Sequence, residues 1–230
     1  MPKIRNLGFR LEARQDSPFE ADLMIYDDIG EYEDWISGKL KGYGPKKLTE
    51  DLAQCTASVI NVHINSMGGN IFDGISVLNI LKGCSKEISV YIEGVAASAA
   101  SMIAMAGKSV KMYQTSQMMV HNCWTYAIGN SKELRKTADD MDKIMEGAKL
   151  SYLSKAGGKL TAEKLDELLE AESYLTAAEC LELGLCDEIV DAPEPEASED
   201  PEEPQEKEDA ETNAKTEPVI MTETHDHWFF

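Results

Sequence analysis

No stretch of this chain approaches the roughly 18 consecutive apolar residues of a membrane span, and its opening, MPKIRNLGFRLE, contains no signal-peptide core. Both absences predict a cytosolic protein with no membrane contact. Cysteine is scarce: Cys55, Cys84, Cys123, Cys180 and Cys186 are odd in number and show no C-x-x-C spacing. They read as reduced, buried small hydrophobes, so neither a disulfide framework nor a metal site is expected. Basic residues are outnumbered, with 22 Lys and Arg against 42 Asp and Glu and a net charge of −20. That balance argues against a partner recognised through a phosphate backbone, so no nucleic acid is expected.

What is present suits one α/β domain with an appendage, or two small domains: 230 residues, 43% hydrophobic and 28% charged. The acidity is unevenly spread. Residues 192–230 carry thirteen Asp and Glu against Lys207 and Lys215, a net of −11, which leaves −9 on residues 1–191. Five of the eight prolines fall in the same tail. Such a segment cannot bury enough apolar surface to order itself and is predicted to be disordered, with Trp228-Phe229-Phe230 as a candidate docking peptide at its end. Residues 1–21 read as a loose arm or edge element, 22–191 as the folded body and 192–230 as the tail.

Along the body, apolar runs predict strands at 22–26, 58–65, 87–93, 109–113, 117–121 and 186–190. The run SVINVHIN at 58–65 is β-branched and reads as a buried parallel strand. Helices are predicted from Thr49 to Cys55, along Ile71, Ile75, Leu78 and Lys82, from Ser98 to a stop at Gly107, from Thr161 to Leu169, and over 176–183. The longest, over 131–156, opens with a capping-box pair, Asn130 and Glu133. Its apolar positions Leu134, Ala138, Met141, Met145, Ala148 and Tyr152 form one stripe, and a helix this long can project beyond its own core to meet a neighbour. The acidic, Gly-bearing stretch 27–44, with Trp35, reads as loop or irregular helix. Alternating strands and helices predict an α/β fold with a mainly parallel sheet.

The stretch the rest is arranged around is 93–101, EGVAASAAS. A strand runs into it and a small, apolar, buried helix runs out. A serine at that turn, Ser98, stands clear of the sheet beside the first unpaired amides of the helix, a good position for a nucleophile. This stretch alone favours the plainer reading of Ser98 as an N-cap on a core helix, and the rest of the chain overturns it. Of the four histidines, His225 and His227 fall in the tail, and His63 sits inside a β-branched strand as a hydrogen-bonded core residue. His121 ends a strand, where an α/β fold places its crevice, and a neutral imidazole suits a serine hydroxyl as base. Gly68-Gly69, one strand–helix unit before Ser98, can turn backbone amides outward toward an oxyanion.

Four blocks appear in order: Asn65-Ser66-Met67-Gly68-Gly69, Gly94-Val95-Ala96-Ala97-Ser98-Ala99, Met119-Val120-His121-Asn122, and Tyr174-Leu175-Thr176-Ala177 before Gly184-Leu185-Cys186-Asp187. Together they resemble the ClpP serine-peptidase family over residues 22–191. Within it, Asn122-Cys123-Trp124-Thr125, Gly129-Asn130, Leu134-Arg135-Lys136, Phe72-Asp73-Gly74 and the Ala-Ala-Ser-Ala-Ala-Ser run resemble phage and prophage head maturation proteases. The resemblance implies a ClpP/crotonase-like fold of repeated β-β-α units with a projecting handle helix at 131–156. It implies Ser98 as nucleophile, His121 as general base, the amides of Gly69 and Ala99 as oxyanion hole, and Gly68 as a substrate-binding position. Where the main family has Asp in the triad, this chain has Glu172, with Glu170 and then Asp187 as substitutes. Met67 stands where the family usually has Pro. The implied partners are protein substrates, capsid and scaffold proteins among them, and further copies of the chain in a heptameric or tetradecameric ring. No cofactor is implied, and cleavage would be independent of ATP, inside the host cytoplasm or the prohead. A proteolytic subunit working with a Clp ATPase is the alternative, and a crotonase-fold acyl-CoA enzyme or a silent assembly scaffold are alternatives of another class.

Overall fold

Alternating apolar and polar residues on four adjacent strands establish the centre of the molecule. The computed structural model describes residues 10–34 and 39–191. It opens with β1 (Arg10–Ala13) and β2 (Glu20–Ile25), then a separate ribbon of β3 (Gly30–Asp34) and β4 (Lys39–Tyr43). Next come α1 (Pro45–Gln54), β5 (Val59–Ser66), α2 (Ile71–Gly83), β6 (Glu87–Ala97), α3 (Ala99–Ala104), β7 (Ser109–Tyr113) and β8 (Gln117–Val120). The remainder is α4 (Ser131–Ala156), α5 (Ala162–Glu170), β9 (Ser173–Thr176), α6 (Ala177–Glu182) and β10 (Glu188–Val190). The main sheet runs β1-β2-β5-β6-β7-β10, parallel from β2 onward. The result is a mixed α/β fold. None of the described helices is long and apolar enough to cross a membrane.

One face of the sheet makes the core. Leu23 and Ile25, Ile60, Val62 and Ile64, Val90 and Ile92, and Val110 and Met112 are buried there, together with Leu48 of α1, Val77 and Leu81 of α2 and all of α3. Side chains alternate across a strand, so the residues between them point the other way. There β5 presents His63 and Asn65 as half-buried and exposed, where continuous burial was expected. The face opposite the helices is therefore polar.

Strand β6 is long enough to change partners, and this positions the site. Residues 89–92 pair with β7, whereas 95–97 pair with β8, which in turn pairs antiparallel with β9. At the changeover a Cβ on Gly94 would lie 2.5 Å from Asn65 Oδ1, which accepts the Val95 amide at 3.2 Å. The sequence reading ended this strand at 93 and did not see β9. Four residues, SYLT, between two helices carry no period of their own and become a strand only through their partner.

Other boundaries moved for local reasons. Among its described residues, the stretch 27–44 contains the antiparallel ribbon β3–β4 and no helix, since a ribbon outside the main sheet needs no apolar alternation to pair. Helix α1 starts at Pro45, whose fixed φ suits a first helical residue, and Thr49 donates to the Pro45 carbonyl at 2.9 Å instead of capping the helix. The edge element foreseen before residue 22 is β1, antiparallel on β2. Asn130 and Glu133 do form a capping box, and left-handed Gly157 closes α4. The predicted tail at 192–230, with its two histidines and aromatic end, Trp35 and the first nine residues lie outside the described residues.

His63 is hydrogen-bonded, as expected, but on the polar face. Its Nδ1 lies 2.8 Å from Glu93 Oε1, its Nε2 lies 3.5 Å from Asp22, and its ring stacks on Tyr91. Tyr26 donates to the other Glu93 oxygen. Burial pulls the imidazole pKa down, but Glu93 and then Asp22 outweigh it and hold it above its ordinary value. A raised imidazole contributes stability in full below its unfolded pKa of about 6.5 and loses it as pH rises through the folded value. Wild-type protein should thus lose stability on moving from pH 6 to mildly alkaline solution. His63→Gln should flatten that step in urea melts, and a wild-type profile no steeper than the variant's would contradict it.

Candidate active site

Ser98 is the hinge between β6 and α3, and its backbone is strained. With φ 53° and ψ −124° it occupies a region that costs a non-glycine residue about 1–3 kcal/mol. Its amide is held by the Met119 carbonyl at 2.9 Å. Although Ser98 stands at the N-cap of α3, its side chain caps nothing. The hydroxyl instead lies 2.7 Å from His121 Nε2. His121 follows directly on β8, and because β8 pairs with the end of β6, the imidazole is carried up beside the serine. For the hydroxyl to donate, Nε2 must be the unprotonated nitrogen, the state a general base requires.

The glycine turn after β5 completes the near wall. An isolated parallel bridge ties it down: Ile29 donates to the Gly68 carbonyl at 2.8 Å and accepts from the Asn70 amide at 2.9 Å. Asn70 then caps α2 through the amides of Phe72 and Asp73. Between these anchors, the Gly69 amide makes no hydrogen bond among the described residues, and neither does that of Ala99, the first of α3. Gly68 has φ +102°, and a Cβ on it would meet Ser98 Cβ at 2.7 Å and the Ala99 nitrogen at 3.0 Å. It packs on the nucleophile's turn, and its missing side chain leaves the Ala99 amide open.

The third carboxylate is not joined to this pair. Among the described residues, no carboxylate hydrogen-bonds to His121. Glu172 is exposed, at φ 48°, between the end of α5 and β9. It lies one residue before Ser173, whose partner across the ladder is Val120, so Glu172 and His121 leave the sheet on neighbouring strands. Glu170 ends α5 and is exposed. Asp187 is committed elsewhere: its carboxylate accepts from the Val110 amide at 2.7 Å and from Lys155 at 2.5 Å, pinning α4 to β7.

Ser98, His121, Gly68, Gly69 and Ala99 border one cleft of about 930 Å³. Its apolar wall includes Phe72, Met102, Met119, Ile144 and Met145. Unbranched, polarizable methionines make such a wall adaptable to side chains of different shape. Sequence reasoning missed this wall because its members come from α2, α3, β8 and α4. It also missed the Ile29 bridge, for which a single apolar residue in an acidic loop gives no signal.

A serine at a strained strand–helix turn, an imidazole in contact with it and two free amides beside it form a site suited to nucleophilic acyl transfer. Residues 50–193 match the family model described as Clp protease. A solved structure of a point mutant of ClpP1 from Listeria monocytogenes superposes with a TM-score of 0.59 at 18% identity, over 75% of this chain and 92% of that one. The chain belongs to the Clp protease family, a family of serine peptidases whose members form ring oligomers and act on protein substrates.

Proposed function

We propose that this chain is a ClpP-type serine endopeptidase that works through an acyl-enzyme and serves phage prohead maturation, cutting capsid and scaffold proteins without ATP. The 2.7 Å contact between Ser98 and His121 carries the chemical part of this reading. Ser98 Oγ attacks the scissile carbonyl carbon while His121 Nε2 takes its proton. The resulting oxyanion accepts hydrogen bonds from the amides of Gly69 and Ala99. Collapse breaks the C–N bond, His121 passes the proton to the departing amine, and water then frees the acyl group by the same steps in reverse. Glu172 closes on the imidazole to hold its tautomer. The adjoining exits from β8 and β9 support it over Glu170, and the engagement of Asp187 with Val110 and Lys155 supports it over that residue.

The substrate assignment rests on the blocks shared with head maturation proteases, and ring assembly on α4. Residues 131–144, the first half of that helix, contain no buried residue, and Leu134 is exposed; so are Tyr126 and Ile128 just before it. An apolar stripe half covered by its own chain fits a handle that meets a neighbouring subunit. Heptameric rings would enclose the cleft and restrain the peptidase.

Labelling with a fluorophosphonate probe tests the reading. Modification should map to Ser98, disappear in His121→Ala, and slow markedly in Glu172→Gln but not in Glu170→Gln. Cleavage of a folded capsid precursor should proceed without nucleotide; strict dependence on a Clp ATPase and ATP would favour the general proteolytic subunit instead. Labelling that survives loss of His121 would sink the assignment.

A further inference from the structure

The serine peptidase reading leaves unexplained a buried polar chain behind the nucleophile. Ser101 is fully buried and its Oγ donates to the Ser98 carbonyl at 2.6 Å. The same Oγ lies 2.7 Å from the hydroxyl of Tyr152, a buried residue of α4. A serine hydroxyl has one proton, and Ser98 takes it, so Tyr152 must be the donor to Ser101. Burial pushes the Tyr152 phenol well above its ordinary pKa, which keeps that donor protonated. The direction is thus fixed: Tyr152 O–H to Ser101 Oγ–H to the carbonyl of Ser98.

That carbonyl shares a planar trans peptide unit with the amide of Ala99, so C=O and N–H point in opposite directions. Anchoring the carbonyl inward turns the N–H outward, toward the gap that Gly68 leaves open. We propose that Ser101 and Tyr152 are positioning residues for the oxyanion hole: their hydrogen-bonded chain sets the orientation of the Ser98–Ala99 peptide and hence of the Ala99 donor. Helix geometry alone holds the plane less firmly. The amides of Ser101 and Met102 reach the same carbonyl at 3.0 and 3.4 Å, both longer than the hydroxyl contact, and α3 has only six residues to support them. Because Tyr152 comes from α4, the chain also ties the geometry of the hole to the helix whose other half stands free.

This inference rests on the reading of the Ala99 amide as an oxyanion donor, so its test separates the two. Steady-state peptide cleavage and binding of a peptide boronic acid, whose tetrahedral adduct occupies the oxyanion hole, are measured on the assembled protein. Ser101→Ala should lower kcat about 10- to 100-fold with KM within about 2-fold, less than the 100- to 1,000-fold loss typical of deleting a donor outright. Boronate affinity should fall in parallel, while a non-covalent product peptide binds unchanged. Tyr152→Phe, which keeps the ring, should show a smaller kcat loss, and the double variant should be no worse than Ser101→Ala. Ser151→Ala removes another buried hydroxyl of α4, one that donates to the Ala148 carbonyl at 2.7 Å, and controls for general loosening; it should leave kcat intact. Active wild type with undiminished kcat and boronate affinity in Ser101→Ala would overturn the positioning role alone. Wild type that neither cleaves peptide nor forms the adduct would overturn the peptidase reading and this inference with it.

Discussion

Ser98→Ala should abolish cleavage, by about a million-fold in kcat where a serine nucleophile is removed, and leave the fold and the oligomer intact. The second half of that expectation comes from the structure. A serine that capped α3 would take about 1 kcal/mol of stability with it when replaced. Ser98 caps no amide, so among the described residues the hydrogen bond lost is its contact with His121, and the turn is held by the Met119 carbonyl through the backbone. Thermal melting and sedimentation of the variant should match wild type while processing of precursor falls to background. Cleavage by purified Ser98→Ala protein would show that the nucleophile lies elsewhere. A large drop in melting temperature would show that the hydroxyl had a structural share the geometry does not predict.

Gly68→Ala is expected to be nearly as damaging to activity and far more damaging to stability. A left-handed alanine costs about 1–3 kcal/mol, and overpacking a filled site costs about as much again. The new methyl would stand 2.7 Å from Ser98 Cβ, 2.8 Å from the Ala97 carbonyl and 3.0 Å from the Ala99 nitrogen. Two of these neighbours are backbone, so relief must come from moving the nucleophile's turn or the glycine loop. Either movement misaligns the serine with its oxyanion donor, and labelling of Ser98 should slow at least about 100-fold. Gly83→Ala is the control: it ends α2, and a Cβ there meets nothing within 4 Å among the described residues. That variant should label at the wild-type rate. Equal behaviour of the two glycines would mean that the turn tolerates a side chain and that its closeness to Ser98 is incidental.

Much of the architecture was legible because it depends on local patterns. The capping box at Asn130 and Glu133 and the stop at Gly157 delimit α4 without reference to anything else in the chain. The strands β5 and β6 announce themselves by their Ile and Val residues. Ordered short blocks brought out Ser98, His121 and the glycine pair before any contact was known. Where the reading failed, the missing information was nonlocal. Strand β9 exists because β8 lies beside it, and the ribbon β3–β4 because two unremarkable segments pair. The half-buried polar face of β5 follows from which side the helices cover.

The sequence by itself determined the central strands and the helices between them, the residues available for chemistry and the acidic character of the chain, since these follow from composition, period and spacing. Tertiary structure alone decided which of those residues meet. It turned Ser98 from a helix cap into a partner of His121, assigned Gly68 to the nucleophile's turn, took Asp187 away to hold α4 against β7, and placed Tyr152 behind the Ser98 carbonyl. Each outcome depends on the register of strands and the packing of helices far apart in the chain, and hydrogen bonds of 2.7 Å are set by that packing.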